Sequence, residues 1–319
     1  MSQMALSNTL QRGKTSRITR SLQASKRLGY GQLFLLMVPG LLYYVIFRYI
    51  PIYGVQIGFK EFNFMRGIWG SEWVGLKHFA YMFSTQSFLQ VFSNTLILGF
   101  LKLLVGFPIP IIFAILLNEV MRMRFKKTVQ TISYLPHFLS WVVLGGLFFQ
   151  FFSLHGPINA VLQFFGVERI SFLTNPEWFR FVLVSTYVWK IMGWNSIVFL
   201  AAISSIDPEL YEAATMDGAG RFAKMRHITL PSIAPVVTVM FILAAGQIIR
   251  DDFDQIFNLY NPAVYRTADV ISTYVYRQGL EQLNFSYATA VELFKNVIAL
   301  AMVFATNTIS KRINEYGIW

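Results

Sequence analysis

The chain has 319 residues, 55% of them hydrophobic and only 13% charged, with a mean hydropathy of +0.49. Soluble domains carry about a quarter charged residues, so this chain has roughly half the usual supply for a water-facing surface; such a composition suits a bilayer better than a single soluble core. Cysteine is absent, which excludes disulfides, thiolate metal sites and cysteine nucleophiles, and His78, His137, His155 and His227 are too scattered for a histidine metal cluster.

In chain order, residues 1–30 form a basic tail holding Arg12, Lys14, Arg17, Arg20, Lys26 and Arg27 without an acid. The net charge of +11 could suggest nucleic acid. A basic tail abutting an apolar run reads instead as a cytoplasmic flank meeting anionic membrane lipid. Gly13-Lys14-Thr15 imitates the end of a phosphate-binding loop, but position 8 is Asn8 rather than glycine and no strand precedes it, so an ATP site is not expected on this chain.

From residue 31 onward the chain reads as one all-α membrane domain, 31–319. A helix needs about twenty mainly apolar residues to cross roughly 30 Å of hydrocarbon. Six segments qualify: about 31–52, 89–117, 129–152, 179–205, 232–250 and 288–310. Pro39, Pro108 and Pro110 fall inside them, which membrane helices tolerate when neighbours satisfy the freed carbonyls. Positive charge recurs on alternate connections: Arg122, Arg124, Lys126 and Lys127 after span two, Arg221, Lys224 and Arg226 after span four, Lys311 and Arg312 after span six. The intervening loops are less biased, so six spans with both termini in the cytoplasm is the expected arrangement. Tyr49, Tyr53, Trp69, Trp73, Trp141, Trp178 and Trp319 collect near the expected interfaces, as an aromatic belt does. Two long connections, about 53–88 and 251–287, fall outside; short helices are expected near 80–92 and 273–279.

The connection 207–231 carries most information. Asp207-Pro208 is a helix start, a side-chain cap followed by proline at the first position. Leu210, Ala213 and Ala214 give the short helix a small apolar face, and Asp217-Gly218-Ala219-Gly220 breaks it. A second short helix is expected over Arg221–His227, with Pro231 marking entry to span five. From pattern alone, an ordinary amphipathic connector reads equally well.

Glu212-Ala213-Ala214, then three residues, Gly218, nine more, Ile228, then Leu230-Pro231 resembles the EAA motif of permease subunits of binding-protein-dependent ABC importers. Trp189-Lys190, Gly193-Trp194-Asn195 and Ala201-Ala202 are similar to the maltose-permease-like carbohydrate-uptake group. Phe257 to Pro262 and Ala268 to Arg277 resemble the branch importing acidic oligo- and polysaccharides such as aldouronates and alginate. The resemblance implies the six-helix type I importer fold and a non-catalytic subunit, with ATP and Mg bound by two separate ATPase subunits. It also implies a second permease of different sequence and an extracytoplasmic solute-binding protein. Glu212, Ala213, Ala214, Asp217, Gly218, Leu230 and Pro231 would form the coupling contact. Trp194, Asn195, Gln247, Arg250 and Asp251 are the candidate saccharide path. Gln247, Arg250, Asp251 and Asp254 would share one helical face, and Arg250 suits a carboxylated sugar. Alternative readings are packing of Trp194 against the partner subunit and a surface pair between Arg250 and Asp254. An ion-coupled transporter without ATPase is the rival function, and it would favour internal repeats and broken spans. A membrane-embedded enzyme is less supported, since no cluster of acid, base and metal-ligand residues stands out.

Overall fold

A computed structural model describes residues 33–314, so the basic tail, the Gly13-Lys14-Thr15 decoy and Trp319 lie outside the described residues. The chain divides into two compact units, one ending at Gln56 and the other beginning at Ile57. Helix α1 (Leu33–Phe59) makes up the described part of the first and runs three residues past its boundary. Every residue from Leu33 to Tyr53 is exposed, although the segment is strongly apolar. A helix apolar on all sides belongs in hydrocarbon or against another chain, not in water.

The second unit is predominantly helical. Strands β1 (Lys60–Glu61) and β2 (Glu72–Trp73) form a minimal antiparallel pair, followed by α2 (Lys77–Ser84). Lys77 bonds Glu61 at 2.7 Å, holding that carboxyl below the usual carboxylate range and linking β1 to α2. Helices α3 (Gln86–Gly106) and α4 (Pro108–Asn118) together make a 33-residue apolar run, about 50 Å at 1.5 Å per residue. Pro108 stands at the first position of α4, where a missing amide costs little.

Where the sequence suggests one span over 129–152, two helices meet at a 108° bend: α5 (Met123–Phe138) and α6 (Trp141–Phe151). Pro136 removes an amide from the last turn of α5, and Leu139 and Ser140 are extended. Ser140 restarts the helix by accepting a bond from the Val143 amide. Lys190 donates to the carbonyl of Leu139 and lies 4.8 Å from the Trp141 ring, so the bend is held from the neighbouring helix. After α7 (Pro157–Phe164), that neighbour is α8 (Pro176–Ser204), 29 residues capped by Asn175 through the Glu177 amide.

Helix α9 (Pro208–Met216) follows, then α10 (Arg221–Ala245). The separate helix expected over Arg221–His227 is instead continuous with span five. A π turn over Met225–Thr229, closed by the Leu230 amide onto the Met225 carbonyl, carries the helix past Pro231 without a break. Span five also ends earlier than its apolar pattern suggests, at Ala245; residues 246–252 are turn and coil before α11 (Phe253–Leu259). Helix α12 (Ile271–Tyr276) and the long α13 (Phe285–Asn314) complete the chain.

Two apolar clusters fix the ends of this bundle. Ile111, Ala114, Leu117, Phe199, Ile203 and Ile233 join α4, α8 and α10 at the end that carries α9. Leu144, Phe148, Phe179, Leu183, Ile256 and Leu259 join α6, α8 and α11 at the opposite end.

Candidate functional site

Two features stand out from the packed bundle: the hairpin around α9 and a cavity between spans. The hairpin is built from local signals. The Asp207 carboxylate accepts the Glu209 amide at 3.0 Å, and Pro208 occupies the first helical position. The helix stops in a Schellman turn: the Ala219 amide reaches the Ala214 carbonyl at 2.8 Å and the Gly218 amide reaches Thr215 at 3.0 Å. That turn needs Gly218 at φ +77, where a β-carbon is disfavoured. Tyr211 and Thr229 share a 2.9 Å hydroxyl contact, and Lys224 donates to Thr215 at 2.6 Å, fastening α9 to the foot of span five.

No residue of α9 is buried. Glu212, Ala213, Asp217, Gly218, Leu230 and Pro231 are exposed, and Ala214 is half-buried. Leu210, Phe222 and, at 89% exposure, Met216 add apolar surface beside them. Glu212 makes no ion pair among the described residues. The seven hairpin residues singled out by sequence therefore lie on one connected segment, mostly open to a partner.

The cavity has a volume of about 590 Å³ and lies between α3, α8 and the end of α10. Asn195, Gln247 and Arg250 line it, as do Lys102, Tyr187 and Asp252. The other two path candidates take different places. Trp194 stacks on His137, with centroids 4.3 Å apart and planes 2° apart, at the base of the α5–α6 bend. Asp251 turns away to accept the amide of Ser272 at 2.7 Å and its hydroxyl, with the Lys295 ammonium 3.6 Å away. The shared helical face expected for Gln247, Arg250, Asp251 and Asp254 does not form, because the helix has ended at Ala245 and successive side chains diverge. Arg250 and Asp254 are not paired.

Sequence reasoning missed Lys102. It is the one charge in an otherwise apolar stretch of α3, only 8% exposed, and donates to Asp252 at 2.7 Å and to Gln255 at 2.6 Å. Gln255 in turn donates to the Leu183 carbonyl and the Thr186 hydroxyl, at 2.7 and 2.8 Å. A lone lysine inside a span was the available signal, since such a charge is costly in hydrocarbon unless partnered. Among the described residues no group of His, Cys, Asp and Glu is disposed to hold a metal ion.

Long apolar helices, a polar-lined cavity between them and an exposed hairpin at one end define a membrane transport subunit. The chain belongs to the family of binding-protein-dependent transport system inner membrane components, which it matches over residues 106–316. It is 45% identical over 288 residues to the polygalacturonan/rhamnogalacturonan transport system permease protein YteP of Bacillus subtilis (strain 168), covering 90% of each chain. Among solved structures it is similar to a chain of a bacterial alginate ABC transporter in complex with an alginate pentasaccharide-bound periplasmic protein. That match has a TM-score of 0.82 and 42% identity over 90% of this chain and 96% of that one. A second, with TM-score 0.81 and 43% identity, covers 89% of this chain and 96% of a chain from a bacterial ABC transporter importing the acidic polysaccharide alginate.

Proposed function

We propose that this chain forms half of the translocation path of an ATP-driven importer of acidic oligosaccharides, and that the 207–231 hairpin couples it to an ATPase. Its assembly partners are a second permease of different sequence, two ATPase subunits that bind ATP and Mg, and an extracytoplasmic solute-binding protein. The chain itself catalyses no covalent step, takes no nucleic acid as partner and keeps both termini in the cytoplasm. The observation that carries the cargo class is the cavity wall, where Arg250 stands exposed and without an ion pair beside Gln247 and Asn195. A guanidinium in that position offers a carboxylated sugar two parallel hydrogen bonds. The similarity to a permease for polygalacturonan and to a transporter of alginate supports the same class.

In this reading closure of the ATPase dimer pushes on α9, and Glu212 supplies the charged contact while Ala213 and Ala214 allow close approach. The test is ATP-dependent uptake of a labelled uronate oligosaccharide into proteoliposomes holding the purified complex and its binding protein. Glu212→Lys and Gly218→Val are expected to abolish uptake while the permease pair still assembles. Wild-type uptake by both variants removes the hairpin from the coupling path.

A further inference from the structure

Three charged side chains line the cavity, Lys102, Arg250 and Asp252, and they are not equivalent. Lys102 and Asp252 form an ion pair at 2.7 Å, with the lysine side chain almost fully buried and the aspartate partly open to the cavity. The lysine also lies 4.7 Å from the Tyr187 ring and is held by Gln255, which is itself fully buried and tied to α8. Asp252 ends the non-helical segment 246–252, the stretch that presents Gln247 and Arg250 to the cavity. One turn before Lys102, Gly99 lets α3 approach the same segment: a β-carbon there would lie 2.0 Å from the Ile248 carbonyl oxygen.

We propose that Lys102 is a positioning residue for cargo selection. By pinning and neutralising Asp252, it leaves Arg250 as the uncompensated charge of the cavity wall and holds it where a sugar carboxylate can reach it. The proposal rests on the acidic-saccharide reading given above and goes beyond it in assigning the selectivity to a pair rather than to the guanidinium alone. Without the lysine, Asp252 becomes a free carboxylate two residues from Arg250. It then competes with the cargo for the guanidinium and repels the cargo's own charge.

The experiment is equilibrium binding of a labelled uronate trisaccharide, and of the same trisaccharide with its carboxyls reduced to alcohols, to the purified whole complex without its binding protein. The wild-type complex is expected to favour the acidic form. Lys102→Met should lose about tenfold of that preference, the size of one charge-assisted contact. Lys102→Met combined with Asp252→Asn should recover it to within about threefold, because no stranded carboxylate remains. Asp252→Asn alone should raise the preference above wild type, since it frees a second cation. Equal losses in Lys102→Met and in the double variant overturn the proposal, as does an unchanged preference in both. A wild-type complex that binds the two trisaccharides equally overturns instead the acidic-cargo reading on which the proposal stands.

Discussion

Gly99 shows how much a single missing methyl can decide in this bundle. Its position on α3 brings that helix against the backbone of Ile248, where a β-carbon would sit 2.0 Å from the carbonyl oxygen. The obstacle is main chain and cannot swing aside as a flexible side chain would. Gly99→Ala gains helix propensity of about 1 kcal/mol, yet overpacking of this kind costs typically 1–3 kcal/mol and displaces the segment that carries Gln247 and Arg250. The expected outcome is a lower thermal midpoint for the purified complex together with weakened cargo binding. Wild-type melting and wild-type binding in this variant would refute the close approach of α3 to Ile248. Gly218 acts at the same scale through its dihedral rather than through contact, since φ +77 closes the Schellman turn that ends α9. Lys102, Gly99 and Gly218 each impose a local geometry that composition does not reveal.

The elements were legible in the sequence to different degrees, and the reason is physical. Hydropathy reports how long a segment stays apolar, so it marks the runs that become α1, α3–α4, α8, α10 and α13. It does not report where a helix breaks inside an apolar run. The bend at Leu139-Ser140, three residues past Pro136, and the end of α10 at Ala245 both fall inside segments that are apolar only on average, and tertiary partners help to hold both. Lys190 takes the carbonyl exposed at the bend, while Lys102 and Lys295 approach the adjacent aspartates 252 and 251 from different helices. The hairpin was readable for the opposite reason: caps, glycines and spacing are local signals, and α9 makes few tertiary contacts that could override them. The segment after α11 offers a test at this scale. Asp269 is 3% exposed, is paired with Arg277 and accepts from Thr273 at 2.8 Å. Arg277 also lies 4.7 Å from the Tyr265 ring. Arg277→Met strands a buried carboxylate, and breaking such a pair costs about 3–5 kcal/mol. Faster amide exchange across residues 260–281 is expected, with exchange in α9 unchanged. Exchange that stays at the wild-type rate throughout argues that the pair contributes nothing to holding this segment.

At the scale of the whole molecule, the coupling proposed above needs force applied at the hairpin to reach the cavity between the spans. Helix α8 is the continuous element available for this: it begins at Pro176, lines the cavity with Tyr187 and Asn195, and ends at Ser204, three residues before the Asp207 cap of α9. Helix α10 returns from the hairpin and ends at Ala245, next to the segment bearing Gln247 and Arg250. On that proposal a push on α9 acts on two cavity walls together, and the π turn at Met225–Thr229 lies within one of the two arms. The absence of native cysteine makes the sidedness of this arrangement directly measurable. In Met216→Cys, the introduced thiol lies at a position 89% exposed in the isolated chain. It should react with a membrane-impermeant maleimide in inside-out vesicles and stay unreactive in right-side-out cells. If α9 seats in the ATPase, labelling in inside-out vesicles should fall several-fold when the ATPase subunits are present, and rise again when they are stripped from the membrane. Reaction from the external side refutes the orientation, and labelling indifferent to the ATPase refutes the seat, so each half of the mechanism can fail on its own.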